Sequence, residues 1–388
     1  EPISDSLKIE VSMDFRNDKS VNDQNTFDFL NGSFTDRNDF LSNYVRSDSY
    51  EYTPTAGVIL DKKKHNFKAI AGTRIFNYNA LSDYLQTTTN LNRDYLLPTA
   101  HLNYSYKPSR GKMLRLRYRY NTSLPNARQL LPFENLSNPL NTITGNPDLD
   151  ASRSHNTSVT FRWNNQVTKS SYNIFSSFIY NDKSIISVSN FDENRKRYTT
   201  YANIDGTYSA YLSAGWYKTK KNEAHNFGYG ININNNYNYT KGYVNNAFYD
   251  SRQINISPQV FFSYEYGEIL KVFPSYSFGY NIANYDNYVV KNASNTVHRF
   301  KLQTTTYWPK NLIWGNDFNY TYNSNLASFK ADFYMWNTSL AYYFLDKSLL
   351  AKVKVYDILN QNIGNSRVVN ETSVVDQENL VLKQYVMF

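Results

Sequence analysis

Five histidines are the first residues to weigh, because imidazole acts as base and metal ligand near neutral pH. They are His65, His101, His155, His225 and His298. No two stand at a metal-ligand spacing and none accompanies a nucleophile motif, so each reads as an ordinary strand-end or loop residue. Asp148, Asp150, Asp182, Asp192 and Glu193 have the chemistry for calcium, but their spacing is not that of an EF-hand loop and solvated loop carboxylates are the plainer reading. Gly228-Tyr229-Gly230 is no phosphate loop, because a strand pattern surrounds it and no helix follows. Cysteine is absent, which removes disulfides, thiolate-bound zinc and thiol catalysis. The expectation is a protein that is not an enzyme and holds no cofactor or metal.

The informative charges are basic. The net charge is +8, yet Lys and Arg are scattered and not gathered into a stripe or tail, which argues against nucleic acid as a partner. Arg115, Arg117 and Arg119 occupy every second position of one segment. Arg299 and Lys301 flank Phe300 in the same way, and Lys352 and Lys354 flank Val353. Aromatic residues at segment ends, among them Tyr243, Phe248, Tyr249, Tyr285 and Tyr288, fit either a ligand platform or loop packing.

The elements that must carry these residues follow from period two. Leu7, Ile9, Val11, Met13 and Phe15 alternate with Lys8, Glu10, Ser12 and Asp14. Leu114, Leu116, Tyr118 and Tyr120 alternate with the arginines, and Tyr229, Ile231, Ile233, Tyr237 and Tyr239 alternate with Asn232, Asn234, Asn236 and Asn238. Such segments are strands with one apolar and one polar face. Many runs reach ten residues or more, longer than the usual strand, and their apolar face is rich in rings, as an interfacial girdle requires. Only 41% of residues are hydrophobic but 17% are aromatic, with 36 Tyr. The mean hydropathy is −0.62. A membrane barrel reconciles these facts, since only alternate residues meet lipid. There is no apolar run long enough for a transmembrane helix.

The fold expected is therefore all-β: an antiparallel transmembrane β-barrel occupying 1–388 as one domain, with about sixteen strands. They lie near 6–15, 50–61, 64–79, 93–107, 111–123, 153–165, 169–187, 196–218, 224–241, 250–266, 269–285, 295–309, 311–324, 329–345, 348–360 and 376–388. Short links alternate with long ones at 16–49, 80–92, 124–152, 187–195, 241–250, 286–295 and 361–375, and the 325–328 link is a short exception on the long side. Short turns would be periplasmic and long loops extracellular. Three guanidiniums on one strand face cannot lie in lipid, where each costs about 2–4 kcal/mol at the midplane, so the basic stripes are expected to face the lumen. There they would favour anionic solutes or pair with the acidic residues of a plug.

One stretch has a more specific pattern. It contains Pro125, Gln129, Leu130, Pro132 and Phe133 as P-x-x-x-Q-L-x-P-F, then Gly145-Asn146-Pro147-Asp148-Leu149. Near the end stands Val355-Tyr356-Asp357-Ile358-Leu359-Asn360-Gln361-Asn362. Together these resemble the barrel of TonB-dependent outer-membrane receptors, in particular the Bacteroidetes outer-membrane β-barrel family. The resemblance implies a 22-strand barrel of which this chain is the C-terminal part, with plug, first strands and TonB-contacting segment lying before a start, Glu1-Pro2-Ile3-Ser4, that lacks a signal peptide. It also implies energised uptake of a scarce nutrient, such as a ferric chelate, peptide or glycan, across the Gram-negative outer membrane. Expected partners are lipid and lipopolysaccharide, the plug, TonB, a surface lipoprotein and the nutrient. A passive sixteen-strand porin and a scaffold subunit of an assembly or secretion complex are the alternatives.

Overall fold

A computed structural model describes the chain apart from residues 1, 5, 139, 287–291, 325–330, 363 and 370–373. The alternating segments become strands of one sheet. In chain order they are β1 (Leu7–Gln24), β2 (Asn43–Lys62), β3 (His65–Tyr84), β4 (Thr87–Tyr106), β5 (Lys112–Ser123), β6 (Ser152–Asn165), β7 (Ser170–Phe191), β8 (Arg197–Ile204) and β9 (Thr207–Asn222). They continue as β10 (His225–Val244), β11 (Ala247–Tyr266), β12 (Leu270–Asp286), β13 (Asn292–Thr306), β14 (Leu312–Asn323), β15 (Asp332–Phe344), β16 (Leu349–Tyr356) and β17 (Tyr385–Met387). Nearly all neighbours are antiparallel, and each strand follows its sequence neighbour, with β8 and β9 both paired to β7.

The expected count of sixteen is corrected. With the short strands Pro2–Ser4, Glu134–Asn138 and Asn141–Thr144 the main sheet has 20 strands among the described residues. The segment expected at 196–218 breaks between Ile204 and Thr207, where Gly206 takes a φ of +75° and lets the chain turn from β8 into β9. The segment expected at 376–388 gives the sheet only β17, while Val374–Asn379 pairs with Gly364–Val369 in a separate hairpin. Two expected long links, 80–92 and 241–250, are tight turns instead, with left-handed Leu85-Gln86 and Asn245-Asn246 between strands. The long link 16–49 is mostly strand, with a hairpin of Phe27–Leu30 and Ser33–Arg37 at its tip. The 325–328 link and Tyr288 lie outside the described residues.

The two faces differ in chemistry. Ile9, Val11, Met13 and Phe15 of β1 are exposed, and so are Leu96, Leu114, Leu116, Ile174, Leu212, Ile231 and Leu340 on later strands. In water so broad an apolar surface would be costly, and in lipid it is what a strand needs. On β1 the apolar alternation stops at Phe15, with Val21 alone beyond it, although the strand runs to Gln24. Strands of 20 residues such as β2, β3 and β4 extend about 65 Å at about 3.3 Å per residue, far beyond an apolar band of about 25 Å. The ends of these strands away from the short turns therefore project past the bilayer. Among the described residues β1 pairs only with β2 and Pro2–Ser4, and β17 only with β16. Among the described residues β1 and β17 do not pair with each other, and the sheet does not close on itself.

Candidate functional site

The residues of the P-x-x-x-Q-L-x-P-F and Gly-Asn-Pro-Asp-Leu motifs fold into one module on the polar face, against the projecting part of β2 to β4. Asn126 caps a single helical turn, Ala127–Leu130. Its Oδ1 accepts from the Gln129 backbone N–H at 3.0 Å, and Gln129 Oε1 accepts from the Asn126 N–H at 2.9 Å. This reciprocal pair satisfies two donors that a helix start otherwise leaves open. The turn points Leu130 and Leu131 inward, and both are fully buried with Phe133 and Leu149 against Val45, Tyr78 and Ala80 of the sheet. Pro125 is also fully buried.

The second motif closes over the first. The Asn146 N–H donates to the Gln129 carbonyl at 2.6 Å, and Asn146 Nδ2 donates to the Tyr201 carbonyl of β8 at 2.9 Å. Asn146 Oδ1 accepts from the Asp148 N–H at 2.9 Å, which fixes the turn through Pro147. Gly145 is required by space. A Cβ there would collide with the Leu131 carbonyl oxygen and stand 2.9 Å from that of Arg128. Arg93 of β4 donates to the Pro147 carbonyl and, at 3.0 Å, to the Leu149 carbonyl. Asp150 is held by Lys183 Nζ at 2.7 Å, which keeps its carboxyl below the usual range, and its N–H donates to Asn203 Oδ1 at 2.8 Å. Asn141–Thr144 adds a parallel strand to β8. The long link at 124–152 is thus pinned to the sheet.

Sequence reasoning found the motif residues but not their partners. Arg93, Lys183, Asn203, Tyr78 and the cap Asn126 come from distant or unremarkable positions, and only the paired leucines in a polar loop signalled burial. Beneath the module Arg74 makes two hydrogen bonds to Glu51, at 2.6 and 3.1 Å, and donates to the Thr122 carbonyl at 2.6 Å. A cavity of about 740 Å³ lies beside them, with Arg16, Asp18, Tyr78, Thr122 and Arg128 among its walls.

The basic stripes occupy the polar face in register with small polar residues. Arg115 stands opposite Ser105 and Thr160, Arg117 opposite Asn103 and Ser158, and Arg119 opposite His101 and Asn156. Arg299 lies between Ser277 and Thr321, and Lys301 between Ser275 and Asn319. Lys352 faces Ala341, and Lys354 faces Ser339 with its Nζ 4.0 Å above the Tyr356 ring. The three stripes sit on β5, β13 and β16 and are not neighbours in the sheet. None of these seven cations is in an ion pair among the described residues.

The other chemical candidates are not assembled into a site. His65, His155, His225 and His298 each share a hydrogen bond with a tyrosine hydroxyl, at 2.9, 2.8, 2.9 and 2.7 Å. Those pairs lie among clustered rings, stacked, tilted or edge-on, of the kind that form an interfacial belt. Gly228 and Gly230 lie within β10. Among the described residues no group of three or more His, Asp or Glu converges as metal ligands would.

A family model described as the outer membrane protein beta-barrel family matches residues 1–259, which include the whole folded-in module. No curated protein matches the sequence. Among solved structures, in-vitro folded OmpT of Vibrio cholerae is similar at 9% identity over 90% of this chain and 92% of that one, with a TM-score of 0.29. The copper transporter OprC is similar at 10% identity over 92% of this chain and 68% of its own, with a TM-score of 0.30. OccK11 of Pseudomonas aeruginosa is similar at 8% identity over 98% and 96%, with a TM-score of 0.27. The chain belongs to the outer membrane protein beta-barrel family and is a protein of the Gram-negative outer membrane.

Proposed function

We propose that this chain forms most of the wall of a TonB-dependent receptor that takes up a scarce nutrient. The observation that carries the reading is the module at 124–151, a loop drawn onto the polar face and fixed there by a buried apolar cluster. A passive pore needs only a restricted aqueous channel. A receptor needs a shaped inner surface that recognises its cargo, and a rigid segment beside a large cavity supplies one. On this reading the polar face lines the lumen. Arg115, Arg117, Arg119, Arg299, Lys301, Lys352 and Lys354 then face a plug whose carboxylates neutralise them. Lipid and lipopolysaccharide surround the wall, and no covalent chemistry is needed.

The outer edge of β1 beyond Ile9 and that of β17 support the same reading over a sixteen-strand porin, since further strands would complete the hydrogen bonding of Val11–Gln24. Because cysteine is absent, this is open to direct test. A Val11→Cys, Val386→Cys double variant should form no disulfide in the native membrane. Efficient crosslinking would mean that these edges meet and would defeat the larger barrel. The transport reading is tested by growth on limiting nutrient sources in cells that carry or lack TonB. Growth that depends on both this protein and TonB is expected, and equal growth without TonB would overturn the receptor in favour of a pore.

A further inference from the structure

Folding sorts lysines that the sequence scatters. On the apolar face, the outward positions nearest the short turns include Lys62 on β2, Lys112 on β5, and Lys218 and Lys220 on β9. Each continues an apolar alternation. Lys62 follows Val58 and Leu60, Lys112 precedes Leu114 and Leu116, and Lys218 and Lys220 follow Leu212 and Trp216. No carboxylate shares these outward strand ends among the described residues, and none of the four lysines is in an ion pair there. The opposite ends of the same face differ. There Asp48, Asp250 and Asp286 alternate with Tyr50, Ile254 and Ile282, and Arg252 lies 3.5 Å from Asp286.

The densest group lies where β7, β9 and β10 meet. Lys218 stands between Ser170 and Tyr229, and Lys220 stands opposite Phe227. Between the two lysines the Thr219 N–H donates to the Lys169 carbonyl at 3.0 Å, which brings Lys169 of the neighbouring turn alongside. Deeper in the apolar face Trp216 meets Tyr229 edge-on at 5.5 Å. Lys221, of the other parity, lies toward Glu265 on the polar face. Glu223 sits in the turn after β9 and forms no ion pair among the described residues. A second contact of the same kind adjoins the first. Lys112 Nζ lies 4.5 Å above the Trp163 ring, and Trp163 stacks on Tyr172 at 5.1 Å. Lys112, Trp163, Tyr172 and Trp216 stand opposite one another in a single row, so the basic and aromatic band is continuous from β5 to β9.

Tyrosine and tryptophan rings mark the depth at which hydrocarbon gives way to headgroups. A lysine at that depth lays its methylenes along apolar surface and carries its ammonium to the boundary. With no carboxylate paired to them, these ammoniums take their counter-charge from outside the chain. The long strand ends project past the bilayer on the other side, so the short turns lie at the periplasmic surface, where the leaflet is built of glycerophospholipids. A phosphate there meets two ammoniums two residues apart on one strand. A zwitterionic headgroup brings an ammonium of its own and gains less. We propose that Lys218 and Lys220, with Lys169 beside them and Trp216 and Tyr229 beneath, form a site for the headgroup phosphate of an anionic phospholipid of the inner leaflet.

The inference goes beyond the transport reading and is independent of any cargo. It rests on the apolar face meeting lipid and on the short turns being periplasmic. Native mass spectrometry of the full-length protein released from detergent micelles tests it, with phosphatidylglycerol and phosphatidylethanolamine of matched chains, and lipid A, added in turn. Phosphatidylglycerol should bind at least about fivefold more tightly than phosphatidylethanolamine, the equivalent of one lysine at an anionic headgroup. A Lys218→Gln, Lys220→Gln variant should bind phosphatidylglycerol roughly tenfold more weakly and phosphatidylethanolamine as before. Lys241→Gln, near the far end of β10, should change neither. The ranking of headgroups on the unaltered protein needs no variant, so it stands even if the double variant does not fold. Equal affinity for the two phospholipids, or undiminished phosphatidylglycerol binding in the folded double variant, would overturn the proposal. So would lipid A binding that depends on the same lysines and exceeds that of phosphatidylglycerol, because it would put these strand ends in the outer leaflet. TonB plays no part in this measurement. TonB-independent growth would remove the receptor reading and leave the lipid site, while an absent headgroup preference would remove the lipid site and leave the receptor.

Discussion

The β1–β5 side of the sheet and the β9–β14 side share a strand architecture but fill their polar faces differently. On β1–β3 inward charges are paired, with Lys68 to Glu10 at 2.7 Å and Arg74 to Glu51 at 2.6 Å, and the folded-in module covers the projecting ends of β2 to β4. On β10–β12 the central inward groups are amides, hydroxyls and rings, bordered on β13 by the unpaired Arg299 and Lys301, and the surface is left open. Strong, specific partners fix the module in one place on the first side, and the second side carries no such segment among the described residues, a difference that substitutions can test.

The largest difference is expected at the module. Leu130→Asp would put a carboxylate among Val45, Tyr78 and Leu149 with no partner, at a cost of several kcal/mol, enough to expel the segment while the sheet stays paired. Gly145→Ala should act in the same direction, because neither the Leu131 nor the Arg128 carbonyl can yield without breaking the cap. Limited trypsinolysis at Arg128 reads the effect. Slow cleavage in the unaltered protein and cleavage at least tenfold faster in both variants are expected. Asn281→Ser, on the open side, should leave the cleavage rate unchanged, and an equal effect there would erase the distinction between the two sides.

A middle-sized effect is expected at the ion pair under the module. The Glu51 side chain is 12% exposed and that of Arg74 25%, so each is substantially desolvated. Glu51→Gln or Arg74→Gln alone should each destabilise by about 1–3 kcal/mol, below the range for fully buried pairs, because one charge is left without its partner. The double variant should cost less than the sum of the two. Equilibrium unfolding in urea, followed by tryptophan fluorescence, measures the cycle. Strict additivity would show that the pair contributes no coupling.

Much of this contrast was hidden in the sequence for identifiable reasons. Period two located the sheet, because lipid on one face and water on the other impose it. It failed for Arg16–Gln24, where both faces of the projecting strand are wet and nothing alternates. The turn at Asn245-Asn246 carries residues that favour left-handed backbone, but Leu85-Gln86 does not, so the turn after β3 had no local signature. The Gly-Asn-Pro-Asp-Leu turn was legible, while its anchors Arg93 and Lys183 depend on tertiary placement. The asparagines of β10 were visible as a polar alternation. That Asn236, Asn255, Asn281 and Asn295 form one row depends on the register of four strands, which periodicity along each strand does not contain.

The smallest expected effect is electrostatic and separates the sides by pH. The Lys183 ammonium holds the Asp150 carboxyl below its ordinary range in the folded protein. A lowered value contributes stability above the unfolded-state value, and that contribution is lost as pH falls through the folded one. Attachment of the module should therefore weaken below about pH 4 and be unaffected by pH between about 5 and 8. The pair is exposed, with 57% of the Asp150 side chain accessible, so the change should stay under about 1 kcal/mol. Hydrogen exchange of the Asp150 and Leu149 amides over that range reads it. Lys183→Gln should remove most of the acid sensitivity while leaving the buried leucines in place. The amide row has nothing to titrate, so exchange in β10 and β11 around Asn236 and Asn255 should show no corresponding step. A step of equal size there would mean that acid loosens the sheet as a whole, and the module would then not be a separately anchored unit.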